Sequence, residues 1–116
     1  MYFVNAPFFL RWYYPEVIWN KSRANKKLFL TFDDGPIPEI TSWILDTLLV
    51  YNIKATFFCV GDNISKHPEI FQRIKAEGHR VGNHTYNHLK GWDTIDEEYV
   101  NNVLKCHQLT QSSLFR

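Results

Sequence analysis

Length, composition and charge place the chain among small globular proteins. It has 116 residues, of which 45% are hydrophobic and 22% charged, with 13 basic and 12 acidic side chains. This length predicts one domain with a modest core, and the composition excludes a disordered chain. Because the charges nearly balance, the chain lacks the basic field that attracts nucleic acid, and nucleic-acid binding is not expected.

Residues 1–27 are predicted to form an aromatic-rich N-terminal extension. The segment has no apolar run of the ~18 residues that span a membrane, and no charged region precedes its apolar part as in a cleavable signal peptide. We expect its aromatic side chains to cover one end or an open edge of the domain. Two alternatives stay open, an interfacial membrane anchor and a platform for sugar rings. The localisation also stays open, with cytoplasmic and membrane-peripheral as the two options. The aromatic residues are Tyr2, Phe3, Phe8, Phe9, Trp12, Tyr13, Tyr14 and Trp19.

Three successive strand–helix units are predicted in residues 28–116. The strands are expected at 28–34, 55–60 and 79–84, and Leu114-Phe115 is expected to begin a fourth. Glycine or proline interrupts the pattern at Gly35-Pro36, Gly61 and Gly78, where regular structure should end. The predicted core faces of the three helices are Ile40, Trp43, Ile44, Leu48 and Leu49 in the first, Ile70, Phe71 and Ile74 in the second, and Val100, Val103, Leu104 and His107 in the third.

The alternation of strands and helices predicts an α/β fold. It requires parallel strands joined by right-handed helical crossovers. In such folds the carboxyl ends of the strands meet at one rim, where the chemistry is usually located. Asp33 and Asp34 follow the first predicted strand and His84 lies at the end of the third, so we expect all three at the same rim.

Adjacent carboxylates at the end of a strand call for an explanation. Asp33 and Asp34 carry like charges that repel when close, so the pair needs a cation, a shared proton or full solvation. A solvated turn stays open as the simple alternative, because Asp-Gly-Pro is common turn chemistry.

Two histidines four residues apart, His84 and His88, indicate that the cation is a bound metal ion. Their imidazoles can converge from one helical turn or from a curled loop. A carboxylate and two imidazoles make a three-ligand metal site that leaves coordination positions open to water and substrate.

The two motifs together resemble a known family. Thr31-Phe-Asp-Asp-Gly-Pro36 followed by His84-Thr-Tyr-Asn-His88 is similar to the first two signature motifs of the NodB-like polysaccharide deacetylases, carbohydrate esterase family 4. The final residues, Leu114-Phe115-Arg116, look like the start of the third motif, and the last two motifs have no counterpart. The resemblance covers residues 28–116 and implies a truncated deacetylase domain, about half of a distorted, seven-stranded TIM-like (β/α) barrel.

The resemblance also implies a role for each motif residue. Asp33 is expected to be the catalytic base, with Arg116 as the group that orients it. The implied metal ligands are Asp34, His84 and His88. Zinc suits such a site, and cobalt, nickel and manganese stay open as alternatives.

The activity implied by the resemblance is metal-dependent hydrolysis. The expected reaction removes acetyl groups from N-acetylated, or alternatively O-acetylated, polysaccharide or oligosaccharide in cell-wall or carbohydrate metabolism. The position of Trp92 in the loop after His88, independently of the resemblance, makes it the expected substrate contact. The alternative is a catalytically weak or inactive glycan-binding or scaffold domain of the same fold. Phosphotransfer, a third hypothesis, needs Asp-x-Asp spacing and a glycine-rich phosphate loop, which the sequence lacks.

Three further expectations concern residues outside the motifs. His67, His79 and His107 each have a structural interpretation, so no general acid is assigned. Cys59 and Cys106 are predicted to be free core thiols rather than a disulfide. An incomplete barrel leaves a sheet edge open at each side, and we expect either a second copy of the chain or its own aromatic N-terminus to cover an edge.

Overall fold

A computed structural model describes residues 7–22, 24 and 26–116 of the chain. Tyr2 and Phe3, two of the expected covering aromatics, lie outside the described residues. The described part is an α/β unit in which three parallel strands are ordered β1-β2-β3. The elements are α1 (Phe8–Tyr13), β1 (Thr31–Phe32), α2 (Ile40–Val50), β2 (Thr56–Cys59), α3 (Gly61–Lys66), α4 (Pro68–Ala76), β3 (Arg80–Asn83) and α5 (Asp96–Thr110).

The predicted parallel order is confirmed, and the strand register brings the motif residues to one rim. Phe57 of β2 pairs with Phe32 of β1 and with Val81 of β3. The expected fourth strand appears as a parallel bridge between Asn83 and Phe115. The ends of β1 and β3 therefore lie at the same rim of the sheet, on either side of β2.

The first strand is shorter than predicted. Leu28 and Phe29 are 93% and 62% exposed, and only Thr31 and Phe32 belong to the ladder. One more main-chain bond, from the Thr56 amide to the Leu30 carbonyl, extends the pairing. Upstream of Leu30 the apolar alternation finds no covering layer among the described residues, so it does not produce a strand.

The core lies where β2 is covered by helices. Phe57 and Cys59 are buried, and each of α2, α3 and α4 contributes apolar side chains that pack around them. The predicted face of the helix that begins at Pro68 is confirmed, and Gly78 ends it with a φ of 79°. The buried core residues are Leu45, Leu48, Ala55, Phe57, Cys59, Ile64, Ile70, Phe71 and Ile74.

Two predicted helix faces are only partly correct: Leu48 is buried as predicted, and Ile44 and Val103 are half-buried. In α2 the buried residues are Thr41, Leu45 and Leu48, while Trp43 is 68% exposed. Seven of its eleven residues are apolar, so periodicity alone does not select a face. In α5 the buried residues are Cys106 and Thr110, whereas the expected Val100, Leu104 and His107 are exposed. This helix is hydrogen-bonded to the neighbouring loop through Asn102, whose side chain accepts from the Tyr86 and Asn87 amides.

The expected aromatic cover does not form in the described part of the extension. No residue of α1 is buried, and Phe8 and Trp12 are 84% and 81% exposed. A six-residue helix buries too little area to dock unless another element faces it, and α1 packs closely on none of the described elements. Across the described residues, every helix is too short or too polar to cross a bilayer.

Candidate metal centre

Asp34 occupies an unusual backbone conformation directly after β1. Its φ is 68°, in the left-handed region that Asp adopts more readily than most residues. The side-chain amide of Asn63, on α3, donates to the Asp34 carbonyl oxygen at 2.7 Å. The turn therefore begins at Asp34, one residue before Gly35. The side chain of Asp34 is directed away from that of Asp33.

The second motif forms a curled loop rather than a helical turn. Thr85 and His88 have φ values of 60° and 56°, which is costly for a β-branched residue such as Thr85. The loop is held by hydrogen bonds from the Thr85 amide to Asn83 Oδ1 (2.9 Å) and from the Leu89 amide to Thr85 Oγ1 (3.1 Å). Both bonds fix the backbone between the two histidines.

These two segments bring together three side chains of types that can bind a metal ion. Asp34 Oδ1 lies 3.2 Å from His84 Nε2 and 3.1 Å from His88 Nε2. One donor atom from each residue lies within 4.8 Å of the other two. A carboxylate oxygen and two imidazole nitrogens at this spacing fit a divalent transition metal that keeps positions open.

The hydrogen bonding of His84 fixes its tautomer in a form suited to ligation. Its Nδ1 is hydrogen-bonded to the main-chain oxygen of Arg116, and an oxygen acceptor requires Nδ1 to carry the proton. Nε2 then has a free lone pair, directed at the side of Asp34. A metal-binding histidine usually donates its other ring N–H in this way.

Asp33 lies beside the cluster and contacts Arg116. Arg116 Nε is 3.5 Å from Asp33 Oδ2, and Arg116 Nη1 donates to Thr31 Oγ1 at 2.8 Å. The guanidinium also lies over the ring of Phe58, 5.8 Å from its centroid. The structure thus brings Arg116 to the residue that it is expected to orient.

An open pocket of about 350 Å³ adjoins the cluster. Trp92 is 85% exposed in the turn after the second motif, and the structure does not place it in this pocket. The lining residues are Asp34, Ile37, Val60, Asp62, Asn63, Asn87 and His88.

The other three histidines lie apart from the cluster, in structural positions. His67 precedes Pro68 at the start of α4, and His107 Nδ1 is hydrogen-bonded to the Ser112 carbonyl. The side chain of His79 is only 1% exposed, and its Nδ1 accepts from the Ala55 amide at 3.2 Å. Burial, reinforced by Lys54, lowers the pKa of His79 below its usual value.

The prediction of free thiols is confirmed. Cys59 and Cys106 are both fully buried, and Cys106 Sγ donates to the Cys59 carbonyl oxygen at 3.5 Å. Burial, with the neighbouring Cys106, raises the pKa of Cys59 to about 12. The two sulfurs therefore serve as small apolar groups between β2 and α5.

Sequence reasoning missed the amide side chains that support the cluster. Asn63 holds the main chain of Asp34, and Asn102 of α5 accepts from the amides of Tyr86 (2.6 Å) and Asn87 (2.9 Å). The two motifs contain the candidate catalytic and metal-binding residues. These asparagines lie outside both motifs, at positions that no spacing pattern predicts. The helix α3, which carries Asn63, was also not anticipated.

The comparisons with known proteins decide the family. The family model for polysaccharide deacetylases matches residues 20–114. The chain belongs to the polysaccharide deacetylase family. A Bacillus cereus peptidoglycan-N-acetylglucosamine deacetylase is 49% identical over 80 residues, and the deacetylase PgdA of Listeria monocytogenes is 41% identical over 101 residues. The crystal structure of the Bc1960 peptidoglycan N-acetylglucosamine deacetylase is similar with a TM-score of 0.70 at 47% identity.

These relatives are much longer than the matched region. The alignments cover 69% and 87% of this chain but only 29% and 20% of the two relatives. The superposition covers 72% of this chain and 39% of the crystallised one. The chain therefore spans less than half the length of each of these relatives.

Proposed function

We propose that this chain carries the metal-binding part of a deacetylase of N-acetylated glycans. The proposal rests chiefly on the convergence of Asp34, His84 and His88, with Asp33 free beside them. The relatives named above, peptidoglycan N-acetylglucosamine deacetylases, support a bacterial cell-wall glycan as the substrate class. Zinc is the metal that best suits two imidazoles and one carboxylate.

The chain's own residues divide the work of the reaction. A divalent ion, when bound, supplies Lewis-acid polarisation of the acetyl carbonyl and makes water more acidic. Asp33 takes the proton from the attacking water as general base. Arg116 engages Asp33 Oδ2, which leaves Oδ1 for that proton and fixes the orientation of the carboxylate. The open pocket next to His88 provides room for the acetamido group.

The decisive test distinguishes the role of the base from that of the metal ligands by measuring acetate release and Zn²⁺ affinity in the same variant. In Asp33→Asn the side chain keeps its shape but loses the capacity to accept a proton, so acetate release should fall by about 10²–10⁴-fold. Zn²⁺ affinity, measured by competition with a chelating dye, should stay within about threefold because Asp33 lies outside the ligand set. If Asn at this position leaves acetate release unchanged, Asp33 is not the base.

A second candidate function is glycan binding without efficient turnover. The leaving amine needs a proton, and among the described residues the three histidines that are not ligands lie away from the pocket. Loss of a general acid typically costs about 10²–10⁴ in rate. An N-acetylated oligosaccharide that binds the Zn²⁺-loaded chain without releasing acetate would favour this function over the first.

A further inference from the structure

Asn102 makes three hydrogen bonds to the loop between the two histidine ligands. Its Oδ1 accepts from the main-chain amides of Tyr86 at 2.6 Å and Asn87 at 2.9 Å. Its Nδ2 donates to Asn87 Oδ1 at 2.9 Å. The half-buried side chain of Asn102 therefore joins the middle of α5 to the loop.

The two histidines depend on this loop to different degrees. His84 has a side chain that is 17% exposed, and its Nδ1 is held by Arg116. His88 has a side chain that is 57% exposed, and its ring is paired with Asp34 Oδ1 and with the ring of His84. The orientation of His88 therefore follows from its backbone, whose φ of 56° must be held by the residues before it.

Those preceding residues are the ones that Asn102 binds. Tyr86 and Asn87 lie within a stretch that has no regular secondary structure, so their amides depend on side-chain acceptors. Removing Asn102 Oδ1 leaves two amide donors without their partner and frees the loop to relax from its strained conformation. His88 would then lose its position relative to Asp34 Oδ1.

We propose that Asn102 is a positioning residue that places His88 in the metal site before the ion binds. This inference rests on the proposed metal-dependent function. It assigns a specific energetic role to a residue of α5 that belongs neither to the ligand group nor to the lining of the pocket beside it. The preformed loop lowers the ordering cost of ion binding, because the backbone does not have to be fixed at that moment.

The test compares three variants by Zn²⁺ affinity, measured by dye competition on metal-stripped protein. Asn102→Ala should weaken affinity about 10-fold, the lower end of the range for residues that support metal ligands. Asn102→Asp should restore affinity to within about threefold, because its carboxylate still accepts both amides. Asn101→Ala, a change at the exposed neighbour on the same helix, should leave affinity unchanged.

Two outcomes would overturn the proposal. The first is a folded Asn102→Ala protein that binds Zn²⁺ as tightly as the wild type. The second is rapid hydrogen exchange of the Tyr86 and Asn87 amides in metal-free wild-type protein, which needs no variant and applies even if Asn102→Ala does not fold. If the wild type binds no Zn²⁺, the proposed metal function fails separately, and the exchange rates alone decide whether Asn102 holds the loop.

Discussion

Gly61 offers a sharp test of how the second motif is held, because a methyl group there would strike the loop. Gly61 is the first residue of α3, is buried, and donates its amide to the Thr85 carbonyl at 3.0 Å. A Cβ at this position would lie 3.0 Å from Cγ and 3.1 Å from Cα of Tyr86, and closer still to Cδ2. Non-bonded carbons prefer about 3.5–4.0 Å, so Tyr86 must shift together with its main chain.

The magnitude for Gly61→Ala follows from two opposing effects. Overpacking in a well-packed region costs about 1–3 kcal/mol. Replacement of glycine by alanine in a helix stabilises by about 0.4–1 kcal/mol through the unfolded state. The clash is larger, so we expect a net loss of about 1–2 kcal/mol in the free energy of unfolding. Because Tyr86 lies between His84 and His88, Zn²⁺ affinity should fall as well.

Urea denaturation of metal-free protein and a Zn²⁺ titration measure the two effects. Gly91→Ala is the matched control, since a Cβ there meets Tyr99 no closer than 3.5 Å, an ordinary contact. If Gly61→Ala equals the control in both stability and affinity, close packing of α3 on Tyr86 does not position the ligands.

Three further predictions concern the ligands, the buried histidine and the thiols. Zinc content of protein purified without added metal should be near stoichiometric for the wild type and at background for the His84→Ala, His88→Ala double variant; zinc retained by that variant would contradict the site. Burial lowers the pKa of His79, so as the pH falls the unfolded state binds a proton before the folded state does. The free energy of unfolding should therefore decrease as the pH drops below about 6.5. Urea midpoints above and below that pH should show a weaker pH dependence in His79→Gln, and an equal dependence would refute the assignment. Burial raises the pKa of both cysteine thiols, so iodoacetamide should modify Cys59 and Cys106 only after unfolding, and rapid labelling of native protein would show that they are accessible.

The sequence predicts where the motif residues lie in the sheet better than it predicts which helix faces are buried. Parallel strand order and the gathering of Asp34 and His84 at one rim follow from strand–helix alternation alone, because crossover connections leave little choice. The exposure of Trp43 does not follow, since seven of the eleven residues of α2 are apolar and the hydrophobic effect has no preferred direction.

The sequence does not decide whether the second motif is a helical turn or a loop. Spacing of four residues brings His84 and His88 together in a helix or in a loop, so the pattern does not distinguish them. The choice depends on Asn83 and Asn102, whose amides stabilise left-handed backbone that propensity disfavours. Long-range hydrogen bonds of this kind leave no periodic trace in a single sequence.

The bridge between Asn83 and Phe115 makes one strand register control two parts of the site. The main chain of Asn83 bonds to Leu114 on one side and to Arg116 on the other. Strand side chains alternate between faces, so a slip of one residue would turn the guanidinium away from Asp33 and also withdraw the oxygen that holds His84. The proposed base and one proposed ligand thus depend on the same strand register, and an error in assembling this sheet edge would misplace both.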